Sequence, residues 1–328
     1  MSIFSTWTRR AAMIGLAGAL TGLAFANNRP AKSYEFGVIA KSQSNAVFQA
    51  ARTGAEDAAK DIKAKYGVDV KINWRTPTNE DAQQQAQYIE QLTAQGVDGI
   101  TVSCSDANIL TGAIDAAVDK GVTVVTFDSD APKSKRMAYF GIDDVAAGRR
   151  LMQELAKAMG DKPGVVAILA GNQNAPNLQA RVKGVKEELA KHPNLKLKDV
   201  YYHKETPSDA AAMVQQVQTS SPEISGWAMV GGWPLFTKNA LDGVYEKAKV
   251  CSVDALPEEI EYVKAGQVQA LVVQDCYGWG YQTVMMLYDK VQNGKKPEMT
   301  VNNFELKVCD KANADEYTGL WKKWLGKK

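Results

Sequence analysis

The fold is decided by a stretch that begins with the apolar segment Phe36-Gly-Val-Ile-Ala40, continues with helical periodicity over residues 46–65, and ends with Val68-Asp-Val-Lys-Ile72. A short apolar run, a turn and an amphipathic segment of period 3.6 are typical of a strand–helix–strand unit. Because strands alternate with helices throughout the chain, we expect parallel sheets with helices on both faces. The same rhythm predicts further strands at 99–103, 122–127, 165–170, 195–202, 227–230, 249–253 and 271–273, and further helices at 81–95, 108–120, 145–159, 178–191, 210–219 and 313–325.

The number of strands and the chain length both favour two lobes. Single cores rarely grow beyond about 250 residues, and the chain has 328. Roughly ten strands also exceed one ordinary sheet. The break is expected between Asp130 and Asp144, where the charged stretch Ala131-Pro-Lys-Ser-Lys-Arg136 interrupts the alternation and a second series starts near Gly164.

The first 26 residues have the pattern of a secretory signal. Arg9 and Arg10 precede an apolar run, residues 11–23, and Ala24-Phe-Ala26 forms a small-x-small cleavage site. The run is shorter than the roughly 20 residues of a membrane span. The twin arginines leave both the general and the twin-arginine export routes open. We expect cleavage near Ala26 and a periplasmic protein.

Charge and cysteine content exclude several classes. Loss of Arg9 and Arg10 brings the formal net charge from +2 to zero, which argues against nucleic acid as a partner. The four cysteines contain no CxxC pair, so no zinc site or other cofactor is predicted. Cys104 and Cys251 fall in apolar strand-like runs, where buried free thiols are expected. His192 and His203 are predicted to be surface or loop residues.

Polar and aromatic side chains follow the predicted strands, at the edge where open parallel sheets bind ligands. Carboxylates and amides accept hydrogen bonds from hydroxyls, arginine presents a fork of donors, and rings cover the apolar face of a sugar. The pattern predicts a site for a neutral polyhydroxylated solute. The stretches that follow the strands are residues 41–48, 103–106, 128–130, 172–181, 203–208, 231–234, 254–255 and 274–275. The candidate site residues within them are Lys41, Asn45, Phe48, Ser103, Asp128, Ser129, Arg181, Glu205, Trp233, Asp254 and Gln274.

Several candidates have a second interpretation. Asn45 also fits a helix cap, and Phe48 also fits a core position at helical spacing. Asp128 also fits the start of a helix or turn, and Asp254 and Gln274 also fit turn or hinge positions. Arg181 also fits a solvated helix face, and Trp233 fits the core as well as it fits a stacking position. These alternatives stay open at the level of sequence.

The chain also resembles the periplasmic sugar-binding proteins of the ribose-binding type over nearly all of its length after the signal. The most specific stretches are Lys41-Ser-Gln-Ser-Asn-Ala-Val-Phe48, residues 84–106, Phe127-Asp128 with Gly141-Ile-Asp-Asp144, Arg181-Val-Lys-Gly184, Val253-Asp254 and residues 266–274. The resemblance implies two lobes joined by three hinge strands, with crossings near Ile142, Asp275 and Glu305. It implies one lobe of residues 34–141 and 275–304, and a second of 142–274 and 305–328.

The resemblance also implies the ligand contacts. Asn45, Phe48 and Asp128 match contacts from the first lobe, whereas Arg181, Asp254 and Gln274 match contacts from the second lobe and hinge. Lys41 matches a lysine of relatives that bind rhamnose or autoinducer-2. The pattern departs from ribose-binding proteins at Val47-Phe48, Asp128-Ser129 and Gly232-Trp233. A pentose, a hexose, a deoxy sugar, a cyclic polyol and an autoinducer-type furanose all remain candidate ligands.

Together these features predict a monomeric, non-enzymatic solute-binding protein that hands its ligand to the permease subunits of an ABC importer. An enzyme is disfavoured, because the sequence has no nucleophile elbow, phosphate loop or metal motif. The alternative function is that of a sensor or adaptor, which presents an autoinducer-type furanose or other small solute to a chemoreceptor or kinase.

Overall fold

A computed structural model of the chain describes residues 32–324. The predicted signal, residues 1–26, and its cleavage site lie outside the described residues.

Twelve strands are present in the described part of the chain. They are β1 (Ser33–Ile39), β2 (Asp69–Trp74), β3 (Gly99–Val102), β4 (Thr123–Phe127), β5 (Ala138–Gly141), β6 (Gly164–Ala170), β7 (Leu195–Tyr202), β8 (Ile224–Met229), β9 (Lys249–Asp254), β10 (Ala270–Val273), β11 (Val301–Asn303) and β12 (Lys307–Cys309).

Nine α-helices and one 3-10 helix, Trp233–Phe236, connect these strands within residues 32–324. The α-helices are α1 (Ala46–Tyr66), α2 (Ala82–Ala94), α3 (Ala107–Asp119), α4 (Asp144–Met159), α5 (Pro176–Leu189), α6 (Pro207–Ser220), α7 (Pro257–Lys264), α8 (Cys276–Asn293) and α9 (Ala314–Trp324).

The strands form two six-stranded sheets. The first has the order β2-β1-β3-β4-β5-β11 and is parallel throughout. The second has the order β7-β6-β8-β9-β10-β12, in which only β12 runs antiparallel to its neighbour. This confirms the predicted fold of two doubly wound α/β lobes. We call the first sheet with α1, α2, α3 and α8 the first lobe, and the second sheet with α4 to α7 the second lobe.

The chain passes between the two sheets three times. It crosses between β5 and α4, between β10 and α8, and between β11 and β12. Ile142, Asp275 and Glu305, named in the sequence as crossing points, lie in these three connections. The lobe boundaries at single-residue level stay a prediction.

Local sequence explains where the helices begin and end. Asn45 caps α1 by accepting a hydrogen bond from the Val47 N–H, and Gly67 ends the helix with a φ of 68°. Glycine adopts this left-handed conformation without the steric cost of a Cβ. Proline opens α5, α6 and α7 at a position where its missing N–H would have no helical partner.

The core of each lobe is formed by its strands and the helix faces that cover them. Phe36 and Ile62 are fully buried in the first lobe, and Leu151 and Trp227 are fully buried in the second. All four cysteines are buried and free, which confirms the prediction for Cys104 and Cys251. In residues 32–324 no helix is long and apolar enough to cross a membrane.

Three strands were not predicted from the sequence. β5 lies inside the interval taken as the break between lobes, and it extends the first sheet before the chain crosses. β11 and β12 have three residues each and carry mostly exposed or half-buried side chains, so they lack a hydrophobic pattern. Their pairing with β5 and β10 depends on tertiary contacts, which leave no local pattern in the sequence.

Candidate functional site

The candidate site lies between the lobes, where the carboxyl ends of the two parallel sheets face each other. Open parallel sheets bind ligands at this edge because loops with polar side chains meet there. Two groups of buried polar side chains occupy it. We call them the Arg181 network (Asp128, Asp144, Asn177, Arg181, Asp254 and Gln274) and the Lys41 cluster (Lys41, Glu80 and Glu205).

Arg181 stands on α5 at the centre of its network, and its side chain is almost completely buried. Its Nε donates to Asp144 Oδ1 at 2.8 Å, and its Nη1 donates to the Val230 carbonyl at 3.1 Å. Its Nη2 donates to Gln274 Oε1 at 2.9 Å. The planar fork is thereby fixed in one orientation by three elements of the second lobe and hinge.

Asp128 brings the first lobe into the same network. It follows β4 with a φ of 55°, and its carbonyl accepts a hydrogen bond from the Tyr139 hydroxyl at 2.9 Å. Its Oδ2 accepts from Ser103 Oγ at 2.7 Å, and its Oδ1 accepts from Asn177 Nδ2 of the second lobe at 3.1 Å. Arg181 Nη2 lies 3.8 Å from the same Oδ1. The two lobes are therefore joined directly through this carboxylate.

Asp254 ends β9 and is held on both carboxylate oxygens. Gln274 Nε2 donates to Oδ1, and the backbone N–H of Gly232 donates to Oδ2 at 3.2 Å. Asp254 and Ala255 have φ values of 106° and 73°, in the left-handed region that non-glycine residues rarely adopt. Such strained backbone persists only where the surrounding structure fixes it, and it is common at binding sites.

The Lys41 cluster joins the lobes a second time. Lys41 Nζ lies 3.2 Å from Glu80 Oε1 of its own lobe and 3.2 Å from Glu205 Oε2 of the second lobe. Glu205 Oε1 accepts from the backbone N–H of Asn172 at 3.1 Å. Gly171 leaves room for this arrangement, since a Cβ there would lie 2.7 Å from Glu205 Cγ and the Glu205 side chain would have to shift.

An open cleft of about 840 Å³ lies beside the Lys41 cluster. Ser44, Asn79 and Glu80 line it from the first lobe, and the second lobe contributes residues 171–174, 202–206 and 209. A smaller cavity of about 350 Å³, on the side of β11, reaches Asp144 and Asn177 of the Arg181 network. The larger cleft therefore borders the Lys41 cluster, and the smaller cavity borders the Arg181 network.

Burial controls the ionisation of both groups. Burial raises the pKa of Asp144 to about 7, although the charge of Arg181 works against this. The pKa of Glu205 also rises to about 7, because burial and the neighbouring Glu80 outweigh the effect of Lys41. For Lys41, burial lowers the pKa but the two glutamates more than compensate, so the net shift is upward. Lys41 therefore stays cationic, and it is shared by two carboxylates.

The structure brings seven of the eleven predicted site residues into these two groups or into direct contact with them. They are Lys41, Ser103, Asp128, Arg181, Glu205, Asp254 and Gln274. Arg181, which the sequence also allowed as a solvated helix residue, is buried instead. A ligand role for each of the seven stays a prediction.

Asn45 and Phe48 lie at the start of α1, at the edge of this region. Asn45 caps the helix, as its alternative interpretation required. The Phe48 ring is 3% exposed and lies 6.5 Å from the Phe127 ring, in an edge contact, and 6.0 Å from the Trp279 ring. The phenylalanine is packed in the core, and a ligand contact remains a prediction.

Ser129 and Trp233 are buried, and neither Ser129 Oγ nor Trp233 Nε1 has a hydrogen-bond partner among the described residues. Trp233 lies in the 3-10 helix and makes an edge contact with His203, with the ring centroids 5.2 Å apart. His203 lies in the loop between β7 and α6, which agrees with the prediction of a surface or loop residue, but it is not at the surface. Its ring is buried against Trp233, and this burial lowers its pKa.

Sequence reasoning missed Glu80, Asp144 and Asn177. Asn177 lies in the first turn of α5, and Asp144 is the first residue of α4. Both belong to stretches that the sequence marked, residues 172–181 after a strand and Gly141-Ile-Asp-Asp144. Nothing in the sequence distinguished them from their neighbours, because their partners are in distant parts of the chain.

The family model of the periplasmic binding protein domain matches residues 36–296. This chain belongs to that family. Membership confirms the resemblance noted in the sequence. Among the described residues of this periplasmic binding protein, no group of three or more His, Cys, Asp or Glu side chains could hold a metal ion.

Several known proteins are similar to this periplasmic binding protein. The D-allose-binding periplasmic protein of Escherichia coli is 28% identical over 291 residues, which cover 85% of this chain and 91% of the relative. The xylitol-binding protein of Mycolicibacterium smegmatis is 27% identical over 60% of this chain and 57% of the relative. An ABC transporter solute-binding protein from Burkholderia graminis, solved with D-arabinose, has a TM-score of 0.80 at 27% identity, with coverage of 87% and 98%.

Proposed function

We propose that this periplasmic binding protein encloses a neutral monosaccharide or polyol between its lobes and delivers it to the permease subunits of an ABC importer. The observation that carries the proposal is the Arg181 network, in which side chains from both lobes meet in one buried, hydrogen-bonded set. A ligand that bonds to groups of both lobes stabilises the closed arrangement over the open one. Permease subunits can then distinguish the loaded protein by its closed surface.

The charges of the site favour an uncharged ligand over a sugar acid or a sugar phosphate. The cations Lys41 and Arg181 already face more carboxylates than they can neutralise. An additional buried anion would be repelled and would lose its hydration. Hydroxyl groups donate to carboxylates and accept from a guanidinium, so they suit these groups without adding charge. The carboxylates are Glu80, Asp128, Asp144, Glu205 and Asp254.

Ser129 and Trp233 support the same proposal. Buried polar atoms nearly always have a hydrogen-bond partner, and Ser129 Oγ and Trp233 Nε1 have none within residues 32–324. Ligand hydroxyls are suitable partners for both. The proposed ligand contacts are Lys41, Asn45, Phe48, Ser103, Asp128, Ser129, Arg181, Glu205, Trp233, Asp254 and Gln274. We also propose Asn177, because it donates to Asp128 Oδ1.

The similar proteins support this ligand class. Their names state D-allose, xylitol and D-arabinose, which are uncharged and polyhydroxylated. We propose the periplasm as the location of this chain, with a cleaved signal and a monomeric working form, and no enzymatic activity. The sensor or adaptor role stays a prediction that no feature of the described residues tests.

A thermal-shift screen tests the proposal. The purified protein is heated with D-allose, D-ribose, D-arabinose and xylitol, and with D-glucuronate and D-glucose 6-phosphate as charged counterparts. A ligand at 100 times its Kd adds about 2.7 kcal/mol of stability, a rise in Tm of roughly 5 °C. We expect at least one uncharged compound to reach this rise and neither anion to do so. A rise with the anions alone, or with none of the compounds, would contradict the proposal.

A further inference from the structure

The C-terminal helix α9 contacts both lobes outside the cleft. On the second lobe, Lys264 of α7 lies 2.9 Å from Asp315 and 3.1 Å from Thr318 Oγ1, both on α9. On the first lobe, the Trp324 ring stacks on the Tyr277 ring of α8, with centroids 5.6 Å apart and planes 5° from parallel. The sequence predicted a helix over residues 313–325, and the resemblance assigned this segment to the second lobe; α9 also contacts the first lobe.

Trp321 connects this helix to the site. Its side chain is 3% exposed, and its Nε1 donates to the Ala255 carbonyl at 2.6 Å. Its ring also makes an edge contact with Trp324, at a centroid distance of 5.2 Å. Ala255 directly follows Asp254, whose carboxylate belongs to the Arg181 network. The tryptophan therefore reaches the backbone next to a proposed ligand contact without being one itself.

The backbone at this point needs support. Asp254 and Ala255 are consecutive non-glycine residues with positive φ, and two such residues in a row are unfavourable for L-amino acids. Gln274 and Gly232 donate hydrogen bonds to the carboxylate of Asp254. A ligand hydroxyl that bonds to this carboxylate would compete with these two donors, so they are not a constant support for the backbone. Beyond this carboxylate, Glu259 accepts from the Leu256 N–H at 2.6 Å, and Trp321 holds the Ala255 carbonyl.

We propose that Trp321 is a positioning residue for Asp254. Its bond to the Ala255 carbonyl maintains the left-handed turn that presents the Asp254 carboxylate to the solute. The stack of Trp324 on Tyr277 anchors this helix on the first lobe, so the orientation of a second-lobe ligand group depends on a first-lobe contact. The inference rests on the proposed function in one respect, the role of Asp254 as a ligand contact.

Three single variants test this role. Trp321→Phe keeps an aromatic ring but removes the N–H donor. Trp324→Leu leaves Trp321 in place and removes the stack on Tyr277. Trp227→Phe is the matched control, because Trp227 is also a buried tryptophan but its Nε1 donates to Gln218 Oε1 at 2.8 Å and not to residues 254–256. All three are compared by Tm, by Kd for D-allose or D-arabinose, whichever gives the larger shift in the screen, and by amide exchange of residues 254–256.

A hydrogen bond of this kind corresponds to roughly a fivefold change in an equilibrium constant. We expect Trp321→Phe to raise the Kd about fivefold to tenfold and to accelerate exchange at residues 254–256 by a similar factor, with a smaller effect of Trp324→Leu. Trp227→Phe should lower the Tm to a similar extent but leave the Kd and this exchange unchanged. Equal changes in Kd for Trp321→Phe and Trp227→Phe would overturn the proposal.

Trp321→Phe made in a second variant distinguishes the effect of the Trp321 hydrogen bond on the turn from the effect of its ring on core packing. Ala255→Gly removes the penalty of the positive φ, so the turn no longer needs the bond from Trp321. In this background Trp321→Phe should change the Kd by less than about twofold. An undiminished effect would show that Trp321 acts only through the core. If no sugar binds the unmodified protein, the proposed function fails, and the exchange at residues 254–256 still decides whether Trp321 holds the turn.

Discussion

The Arg181 network and the Lys41 cluster both join the lobes, but they are built differently. Arg181, Asp128 and Asp254 stand on strand ends and helices, and each makes several hydrogen bonds with defined directions. Lys41 and Glu205 stand on loops beside an open cleft and are held mainly by charge. We propose from this difference that the network sets the geometry of ligand recognition, whereas the cluster makes the contact between the lobes sensitive to charge.

The largest expected effect is that of Arg181→Ala. The substitution leaves Asp128 and Asp144 buried without their cation and leaves Gln274 Oε1 without its donor. Removing one partner of a buried ion pair costs about 3–5 kcal/mol. We expect a loss of stability of this order and at least roughly a 100-fold rise in Kd for the sugar that the screen identifies. Denaturant unfolding and titration calorimetry measure the two effects.

Two further variants serve as comparisons for Arg181→Ala. Arg149→Ala removes an arginine that pairs with Glu187 at the surface, where such pairs contribute less than about 1 kcal/mol. It should change neither stability nor Kd appreciably. Arg181→Lys keeps the charge but not the fork, so it should fold better than Arg181→Ala and still bind weakly. An unchanged Kd in Arg181→Ala would remove the network from the binding site.

The Lys41 cluster should make the free energy of unfolding depend on pH. The pKa of Glu205 rises from 4.5 to about 7 in the folded protein, so the folded state binds more protons than the unfolded state between these values. Stability from this group is present at and below pH 4.5 and is lost as the pH rises through 7. In Glu205→Gln that contribution to the pH dependence disappears, and Lys41 keeps Glu80 as its partner.

We expect the wild type to lose stability from pH 5 to pH 7.5, and Glu205→Gln to lose on the order of 2 kcal/mol less over this range. The residual slope belongs to the other carboxyl groups whose pKa is raised by burial, which are Asp144, Asp254, Glu259 and Asp275. Denaturant unfolding at several pH values measures both slopes. Glu187→Gln, on the surface, is the control and should keep the wild-type slope. Identical slopes in wild type and Glu205→Gln would show that the cluster does not respond to pH in this way.

The sequence predicted the lobes and the edge of the sheets where polar groups gather, because both depend on local signals. Hydrophobic periodicity indicated nine of the strands, and the residue after each strand indicated Asp128, Asp254 and Gln274. β11 and β12 escaped prediction, since three-residue edge strands carry no periodicity of their own. Their place is determined by the sheets that they join.

The remaining site residues could not be predicted because their roles arise from contacts between distant segments. Asn177 gains its role from Asp128, which is 49 residues away and on the other lobe. His203 is buried because Trp233 packs against it. The link between Trp321 and Ala255 spans 66 residues. No local pattern of polarity or hydrophobicity contains this information.

The smallest expected effect is that of Phe48→Leu, and it addresses a choice that the sequence left open. Phe48 packs against Phe127 and Trp279, so the smaller side chain should cost about 1–2 kcal/mol of stability whether or not the ring meets ligand. Our proposal that the ring also covers an apolar face of the sugar adds a roughly fivefold rise in Kd. Phe36→Leu is the matched control, because Phe36 is fully buried in the same lobe and stacks on Tyr34 away from the site. It should lose similar stability with an unchanged Kd. Equal Kd values for the two variants would make Phe48 a core residue alone, and would leave recognition to the hydrogen bonds of the Arg181 network.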